Sequence, residues 1–288
     1  DAHISEFGPF GDGYWSNYFD GNTDNLTSAA NADFVLGTGD FTAEAFIRPN
    51  GVSGIQVILD LRASNNSSTD NIAILFLNSS VLTCFIGANK SPGGDIPVVA
   101  NKWQHVCIQR ISNTLYFAVD GVVSSTTVAS SDNLNNAGAR ATIGGNVDQT
   151  TVSMFTGYIS NLRLIKGTGI YGTSTFTPPT GPLTTTSQGA SASEVSLLTC
   201  QSNRFIDNST SVHSLTRAGD TKIDENIPFE YLQRQTKLIT CQENRFKDII
   251  NYRFIQTPSS GSKISTISPF SNASYKTANT GAMYLNGS

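Results

Sequence analysis

The sequence carries little charge, and neither sign dominates it. Of its 288 residues, 18 are Lys or Arg and 22 are Asp or Glu, so charged residues make up 14% and the formal net charge is −4. There is neither a basic stripe nor an Arg-rich arm, which argues against nucleic acid as a partner, because phosphate binding depends on clustered cations. No apolar run approaches the roughly 20 residues that cross a bilayer, so we expect no membrane insertion.

Cysteine is scarce and scattered. Four cysteines lie at positions 84, 107, 200 and 241, and no two of them form a CxxC pair. Four such residues are too few and too widely spaced for a disulfide framework. Because free cysteines behave as small apolar residues, we expect all four to be buried thiols.

Helical periodicity is missing over anything longer than a turn or two. Short alternating apolar runs bounded by Gly, Asn, Ser or Pro are present instead, and these are typical of strands in an all-β chain. Residues 1–17 are rich in Gly and aromatic residues without a period, and they predict an irregular lead-in. Besides the segment described next, strands are predicted at 39–49, 56–62, 71–77, 81–87, 141–143 and 157–165.

The clearest strand pattern is KWQHVCIQRISNTLYFAVDGVVSS at 102–125. Two apolar-rich runs, 103–110 and 115–119, are separated by a polar turn, and a third run begins after Asp120-Gly121. An Asp-Gly pair between alternating apolar runs is typical of a type I′ turn, which requires positive φ at both central residues. We therefore predict an antiparallel meander.

The first run of this meander has two unlike faces. Val106, Ile108 and Arg110 alternate on one side, and Trp103, His105, Cys107 and Gln109 lie on the other. One apolar face and one mixed face suit a sheet in a two-layer sandwich. Trp103 is predicted to pack in the core or at its rim. His105 is predicted to be structural, because no His, Cys or acidic residue lies at metal-ligand spacing from it.

A sequence pattern occurs twice in the last third of the chain. LLTCQSNRFID at 197–207 recurs as LITCQENRFKD at 238–248, an offset of 41 residues. Because the same offset relates KI at 222–223 to KI at 263–264, the chain contains a duplication. We assign an assembly role to shared positions of the pattern, which are Cys200, Arg204 and Phe205 in the first copy and Cys241, Arg245 and Phe246 in the second.

The duplicated units divide the rest of the chain. We assign the first to 187–229, the second to 230–270, and residues 271–288 to the start of a further module or an assembly tail. This last assignment rests on SPF…YLNG near the C-terminal end, which echoes GPF…YFDG near the other end. Exposed strand edges pair with other strands. We therefore predict that the first copy pairs along the edge of the main sandwich, and that the second forms a satellite layer or lends strands to a neighbouring chain.

Several blocks of the sequence resemble one known family. In order they are YFDG (18–21), GDFTAEAFIRP (39–49), KWQHVCIQR (102–110), LYFAVDG (115–121), ATIGG (141–145) and GYISNLRLIKGTGIY (157–171). They are similar to the concanavalin A-like lectin/glucanase superfamily, and in particular to laminin-G-like modules of structural proteins from tailed, often marine, bacteriophages. The resemblance implies an all-β jelly-roll sandwich, which we assign to 18–186. The duplicated units identified from the repeat then form a small C-terminal β extension.

The glucanases of this superfamily use paired carboxylates that alternate along one strand. Glu44 has no such partner, because Thr42 and Phe46 occupy the alternating positions. No HExxH motif or nucleophile elbow occurs. The GxGxxG match at 167–172 is followed by a Thr-, Ser- and Pro-rich stretch where a helix is needed, so it predicts no nucleotide site. We assign no catalytic residue and predict that the protein is not an enzyme.

Oxygen-bearing side chains alternate at 20–24, where Asp20, Asn22 and Asp24 resemble the start of a calcium loop. An EF-hand is excluded, since Asn25 stands at the glycine position and Asn31 at that of the closing glutamate. Laminin-G-like and pentraxin relatives often bind calcium at a sandwich rim, so the resemblance keeps calcium as a candidate cofactor. The alternative is an Asx-rich turn that caps a strand and holds no cofactor.

Tyr14, Trp15 and Tyr18 form the only dense aromatic cluster in a loop-like segment. A pyranose ring lays its C–H groups on an aromatic face, so these three residues are candidates for carbohydrate binding. Alternatively they pack the lead-in onto the sandwich or onto a neighbouring subunit, an interpretation that Phe7 and Phe10 beside them favour.

These features favour a non-enzymatic virion structural protein of a tailed phage, a fibre or capsid-decorating component at the virion surface. We expect its lectin-like sandwich to serve assembly, attachment to a host-surface polysaccharide, or both. The expected partners are other virion proteins or copies of the same chain in a homo-oligomer. Two alternatives stay open: a secreted bacterial adhesin or carbohydrate-binding module, and a glycan hydrolase, which the missing carboxylate pair disfavours.

Overall fold

The computed structural model describes residues 12–64, 74–86, 88–147, 153–229, 263–265 and 282–284. The chain divides into a first unit, residues 1–229, and a second unit, residues 230–288. In the second unit the described residues form one antiparallel pair of strands, in which Lys263 lies opposite Tyr284.

Strands account for almost all of the regular structure in the described residues. The exceptions are two single turns of 3-10 helix, Ala32–Phe34 and Ser187–Gly189. Within the described ranges no helix has the length and apolar character required to cross a membrane. In chain order the strands are β1 (Ser16–Asp20), β2 (Asn25–Ser28), β3 (Asp40–Pro49), β4 (Ile55–Asp60), β5 (Ile74–Asn78), β6 (Val81–Ile86), β7 (Ala88–Lys90), β8 (Gln104–Ile111), β9 (Thr114–Val119), β10 (Val122–Val123), β11 (Val128–Ala129), β12 (Thr142–Ile143), β13 (Thr156–Gly167), β14 (Val195–Thr199), β15 (Leu215–Ala218), β16 (Lys222–Asp224), β17 (Lys263–Ser265) and β18 (Ala282–Tyr284).

The strands of the first unit form two antiparallel sheets that share one core. Sheet 1 has the order β10-β9-β8-β3-β13-β1-β16, with β11 beside β9 and β14 beside β13. Sheet 2 has the order β15-β2-β12-β4-β5-β6-β7. Neighbouring strands are often far apart in sequence, as β3 and β13 are, which is typical of a jelly roll. The predicted all-β jelly-roll sandwich is confirmed.

Alternate residues of both sheets fill the space between them. Sheet 1 contributes Phe41, Ile108 and Phe117, and sheet 2 contributes Leu59 and Leu77, all of them buried. Burying one such side chain stabilises the folded state by about 1.5–3 kcal/mol. The face of β8 that the sequence marks as apolar is the one turned toward this core.

Arg110 lies on the core side of β8 and is fully buried. Its guanidinium donates hydrogen bonds to the carbonyl oxygens of Gly37 at 2.7 Å, Gly39 at 2.8 Å and Asp132 at 2.8 Å. Burial lowers the pKa of Arg110, while the nearby charges of Asp40 and Asp132 oppose that shift. The carbonyl groups replace the water that the cation loses, and this is how the core accommodates it.

The predicted type I′ turn is confirmed. Asp120 and Gly121, which join β9 to β10, have φ angles of 49° and 78°. A Cβ at position 121 would lie 2.1 Å from the carbonyl oxygen of Phe176, so the turn requires glycine for its shape and for this close approach. The turn between β8 and β9 is of the same kind, with positive φ at Ser112 and Asn113.

The outer face of sheet 1 is covered in part by later segments. We name residues 168–190, which follow β13, the strap. Its Leu183 and Ala190 join Phe46, Ile165 and Leu198 in a second apolar cluster on this face. The mixed side of β8 is therefore buried, including His105 and Gln109. The GxGxxG match at 167–172 overlaps the start of the strap, and residues 168–186 contain no helix.

The first copy of the repeat adds strands to both sheets. Strand β14 pairs with β13, where Leu197 lies opposite Leu164, so the predicted pairing along the sandwich edge is confirmed. Strand β15 pairs with β2, and β16 pairs with β1.

The shared residues of this copy differ in exposure. Cys200 is buried and its carbonyl accepts the N–H of Asn161 at 3.1 Å. Phe205 is half-buried, with Arg217 over its ring at 5.9 Å, whereas Arg204 is exposed. The predicted burial of the thiols is confirmed for Cys84, Cys107 and Cys200. Cys241, Arg245 and Phe246 lie outside the described residues.

Candidate functional site at the sandwich rim

Two turns, each of which connects a strand of one sheet to a strand of the other, meet at one end of the sandwich. The turn between β1 and β2 contains Asp24, and the turn between β15 and β16 contains Asp220. Because β1 pairs with β16 and β2 with β15, the two turns are held side by side. Gly219 permits the close approach, since a Cβ there would lie 2.3 Å from Asp24 Oδ1.

Three carboxylates converge at these turns. Oxygens of Asp20, Asp24 and Asp220 all lie within 4.8 Å of one another. Asp24 is buried, and its Oδ1 accepts the N–H of Asp220 at 2.7 Å while its Oδ2 accepts that of Asp20 at 3.0 Å. Burial raises the pKa of Asp24, and the charges of Asp20 and Asp220 add to this shift, although the two backbone donors oppose it.

This geometry changes the set of residues for the calcium hypothesis. The structure brings Asp20 and Asp24 together, but the third carboxylate belongs to Asp220 and not to the predicted segment. The N–H of Asn22 donates to Asp20 Oδ1 at 2.6 Å, which is the Asx-turn alternative. Carboxylate oxygens are among the ligands that Ca²⁺ prefers, so Asp20, Asp24 and Asp220 would hold such an ion. Because 196 residues separate Asp220 from Asp24, local sequence spacing does not reveal it.

An open polar pocket of about 320 Å³ lies beside Asp20. One wall comes from the β3–β4 connection, with Gly51, and the start of β4, with Gln56. The other comes from Ser153, which precedes β13, and Thr156, the first residue of that strand. Gln56 joins the two walls, because its side-chain N–H donates to Gly51 O at 2.8 Å and its Oε1 accepts the N–H of Thr156 at 3.1 Å. The pocket is therefore preformed and presents hydroxyl and carboxylate groups to a polar ligand.

The predicted aromatic residues occupy different environments. Tyr14 packs against the second apolar cluster. Trp15 is half-buried, and its carbonyl accepts the hydroxyl of Ser160 at 2.7 Å. Tyr18 lies on the outer face of β1 with its ring centroid 4.9 Å from that of Tyr158. Tyr158 belongs to β13, where strand alternation could have marked it as outward-facing.

Glu44 is fully buried on the outer side of β3, beneath the strap. Its Oε1 lies 2.8 Å from Arg163 Nε, and its Oε2 lies 2.9 Å from His105 Nε2 and accepts the hydroxyl of Tyr171 at 2.6 Å. Burial raises the pKa of Glu44, but the hydrogen bond with His105 and the charge of Arg163 outweigh it, so the pKa lies below its ordinary value. His105 thus has an acidic neighbour across the sheet that its sequence spacing does not reveal.

Comparison with known proteins gives the following matches. A laminin-G family profile, described as the concanavalin A-like lectin/glucanases superfamily, matches residues 20–168. No curated protein matches the sequence.

Solved structures with a similar fold come from several organisms. A protein from Bacteroides ovatus described as carbohydrate-binding has a TM-score of 0.50 and 13% identity, over 74% of this chain and 60% of that one. The heptameric SAP-like pentraxin of Limulus polyphemus has a TM-score of 0.47 and 16% identity, over 73% of this chain and 94% of its own. Domain 4 of an extracellular arabinanase from Geobacillus stearothermophilus, solved with arabinotriose, has a TM-score of 0.42 and 12% identity, over 52% of this chain and 69% of that one. Identities this low establish a likeness of fold alone.

Proposed function

The chain belongs to the concanavalin A-like lectin/glucanase superfamily, and on that premise we propose that it is a non-enzymatic glycan-recognition protein of a tailed-phage virion. It is displayed at the virion surface, where the sandwich rim binds a host polysaccharide and where other virion proteins or copies of the same chain hold it in place. The observation that carries the proposal is the preformed polar pocket beside the three rim carboxylates.

The chemistry of the pocket suits a sugar. A sugar hydroxyl both donates and accepts, and the hydroxyls of Ser153 and Thr156 can do either, while Asp20 accepts only. A volume of about 320 Å³ lies at the lower end of the roughly 300–1,000 Å³ of small-ligand sites. The pocket therefore has room for a short part of a polysaccharide, and its open side lets the rest of the chain continue into solvent.

The carboxylates of the described residues support binding over hydrolysis. Both oxygens of Glu44 are engaged by buried partners, so it has no access to a substrate. The rim carboxylates lie within 4.8 Å of one another, near the separation of about 5 Å in retaining glycosidases. Asp24, however, is buried and accepts a backbone N–H on each oxygen, which suits a turn or a cation site better than a nucleophile.

The placement on a virion is supported by the sequence blocks that resemble phage modules and by the duplicated unit. Mass spectrometry of purified particles, with immunogold labelling of intact ones, tests it. We expect the chain at stoichiometric copy number and accessible to antibody on the particle surface. Recovery only from bacterial cell-surface fractions would instead favour the adhesin alternative.

The binding site is tested on a glycan array with matched variants of the full chain. Thr156→Val removes a hydroxyl from the pocket at nearly constant shape, whereas Thr126→Val makes the same change on an exposed loop. We expect wild type and Thr126→Val to bind the same glycans and Thr156→Val to lose them. Silence of the wild type across the array contradicts the glycan assignment, and release of reducing ends from any bound glycan contradicts the non-enzyme assignment.

A further inference from the structure

A row of residues in register crosses the outer face of sheet 1. Tyr158 lies opposite Tyr18 on β1 and opposite Arg48 on β3, and Tyr18 lies opposite Lys222 on β16. Residues directly opposite on antiparallel strands project to the same face. We name this row of four residues, together with the neighbouring Trp103, the Tyr158 patch.

Tyr158 contacts three of the other residues of the patch. The ring centroid of Tyr158 lies 4.9 Å from that of Tyr18 and 6.2 Å from that of Trp103, and 5.6 Å from the guanidinium carbon of Arg48. Tyr158, Tyr18, Trp103 and Arg48 are half-buried, so each keeps part of its surface in solvent, and Lys222 is exposed. Farther along the same face Phe46 is buried. A cluster of partly exposed aromatic rings beside the covered part of this face indicates a contact surface.

Hydrogen bonds at the edge of the patch fix its orientation. The indole N–H of Trp103 donates to Asn226 Oδ1 at 3.0 Å, which also agrees with the rim packing predicted for this residue. Arg48 Nε donates to Asn101 O at 3.2 Å. Rings and a guanidinium that are held before a ligand arrives lose little side-chain entropy on binding.

One of the two cations of the Tyr158 patch has no carboxylate partner among the described residues. Lys222 pairs with Asp220 at 3.4 Å, whereas Arg48 forms no salt bridge with any described residue. A guanidinium recognises a planar carboxylate through parallel hydrogen bonds. The patch thus offers aromatic faces for a pyranose ring and, next to them, one cation for an acidic substituent on that ring.

We propose that the Tyr158 patch binds uronic-acid residues of an acidic polysaccharide, with the sugar ring against Tyr18, Tyr158 and Trp103 and the carboxylate on Arg48. The assignment rests on the proposed glycan-recognition function and extends it from the rim pocket to the adjoining face. The two surfaces are neighbours, because the side chain of Asn50 lies 3.4 Å from Tyr18 Oη and 3.3 Å from Thr156 Oγ1. One polysaccharide can therefore reach both.

The test uses the full chain with a mannuronate hexamer as probe and the carboxyl-reduced, neutral hexamer as reference. Calorimetry measures binding, and tryptophan fluorescence reports on the patch, since Trp103 is one of only two tryptophans. Arg48→Gln removes the cation and Tyr158→Leu removes the central ring. Lys102→Gln is the matched control, because Lys102 is an exposed cation already paired with Asp120 at 3.2 Å. Unfolding midpoints verify that each variant is folded.

We expect wild type and Lys102→Gln to bind the acidic hexamer equally, and Arg48→Gln and Tyr158→Leu to bind it about tenfold or more weakly. Wild type should bind the neutral hexamer more weakly than the acidic one by a similar factor. Added salt should weaken the binding of the acidic hexamer by wild type more than that by Arg48→Gln. No binding by wild type, equal binding of both hexamers, or unchanged binding by Arg48→Gln overturns the proposal. In each of these cases, binding on the glycan array that is lost in Thr156→Val would still support glycan recognition at the rim pocket. Failure of the Tyr158 patch proposal can therefore be told apart from failure of the proposed function.

Discussion

Replacing Glu44 by glutamine removes one negative charge from the buried side of sheet 1 and leaves the shape of the side chain nearly unchanged. The carboxylate faces Arg163, whose side chain is fully buried. Arg163 also donates to Thr184 O at 2.6 Å and to Ser187 O at 3.0 Å, so the same guanidinium fastens the strap to the sheet. In Glu44→Gln this cation stays buried without a counter-charge.

The expected loss is large because both partners are out of contact with water. Removing one member of a buried ion pair costs about 3–5 kcal/mol, most of it from the charge that is left unpaired. For a unit of this size each kcal/mol lowers the melting temperature by about 2–4 °C, so we expect Glu44→Gln to melt about 6–20 °C lower. Since whole domains are stable by only about 5–15 kcal/mol, the variant should be visibly destabilised but still able to fold.

Equilibrium unfolding in urea, followed by circular dichroism at a series of pH values, measures the effect. The pKa of Glu44 lies below its ordinary value of 4.5 in the folded protein, so above that pH the carboxylate is ionised in both states and its stabilisation is complete. Below it the unfolded chain takes up the proton first, and the stabilisation is lost as the pH falls through the lowered pKa. The difference between wild type and Glu44→Gln should therefore be constant near neutral pH and shrink in acid.

Two further variants complete the test. Glu194→Gln changes a half-buried carboxylate that accepts one hydroxyl, from Thr168 at 2.8 Å, and should stay within about 1 kcal/mol of wild type. The double variant Glu44→Gln/Arg163→Met removes both charges and should cost less than the two single changes together. The reasoning is refuted if Glu44→Gln unfolds like wild type at pH 7, or if the difference between them does not depend on pH.

Two other predictions concern the turns. Calcium sites of extracellular modules have dissociation constants of about 10⁻⁴–10⁻³ M. If the rim carboxylates bind Ca²⁺ with such a constant, 10 mM calcium should stabilise wild type by about 1.4–2.7 kcal/mol. Asp220→Asn should show no calcium-dependent shift in a thermal melt. Gly121→Ala should lose about 2 kcal/mol or more, because it strains a positive φ and meets the carbonyl of Phe176. Gly51→Ala, whose Cβ would have no neighbour within 4 Å, should be near neutral by the same measurement.

The sequence predicted those parts of the structure that depend on neighbouring residues. The alternation in β8 placed Ile108 in the core, and the Asp120-Gly121 pair specified its own turn. The edge pairing of β14 was also accessible, because a short strand with an apolar pattern requires a sheet to join.

The contacts of the candidate site were hidden for the opposite reason. Glu44 meets Arg163 across 119 residues, and Tyr158 reaches Tyr18 only because β13 pairs with β1. Such contacts depend on which strands become neighbours and in which register, and a jelly roll sets both through long crossovers. Asp220 is the extreme case, since it joins the rim only after β15 and β16 have added to two different sheets.

Some residues shared by the two copies of the repeat have a structural role in the first copy. Thr199 Oγ1 donates to Ile206 O at 2.8 Å, and Asp207 accepts the N–H of Leu198 at 3.0 Å, so both residues close the loop after β14. Thr240 and Asp248 occupy the same positions of the second copy, outside the described residues. A need to fold the same loop is sufficient reason for both copies to keep these residues.

Arg204 has no such explanation. Its side chain is exposed and makes no hydrogen bond or ion pair with any described residue, yet both copies of the repeat carry an arginine there. An exposed cation that folding does not require is suited to a partner, which is the assembly role predicted for it. We expect Arg204→Ala to leave the free energy of unfolding within about 0.5 kcal/mol of wild type and to shift sedimentation profiles of the full chain toward the monomer. Thr199→Val should do the reverse, lowering stability through the lost loop contact, and identical profiles for wild type and Arg204→Ala would remove the assembly role.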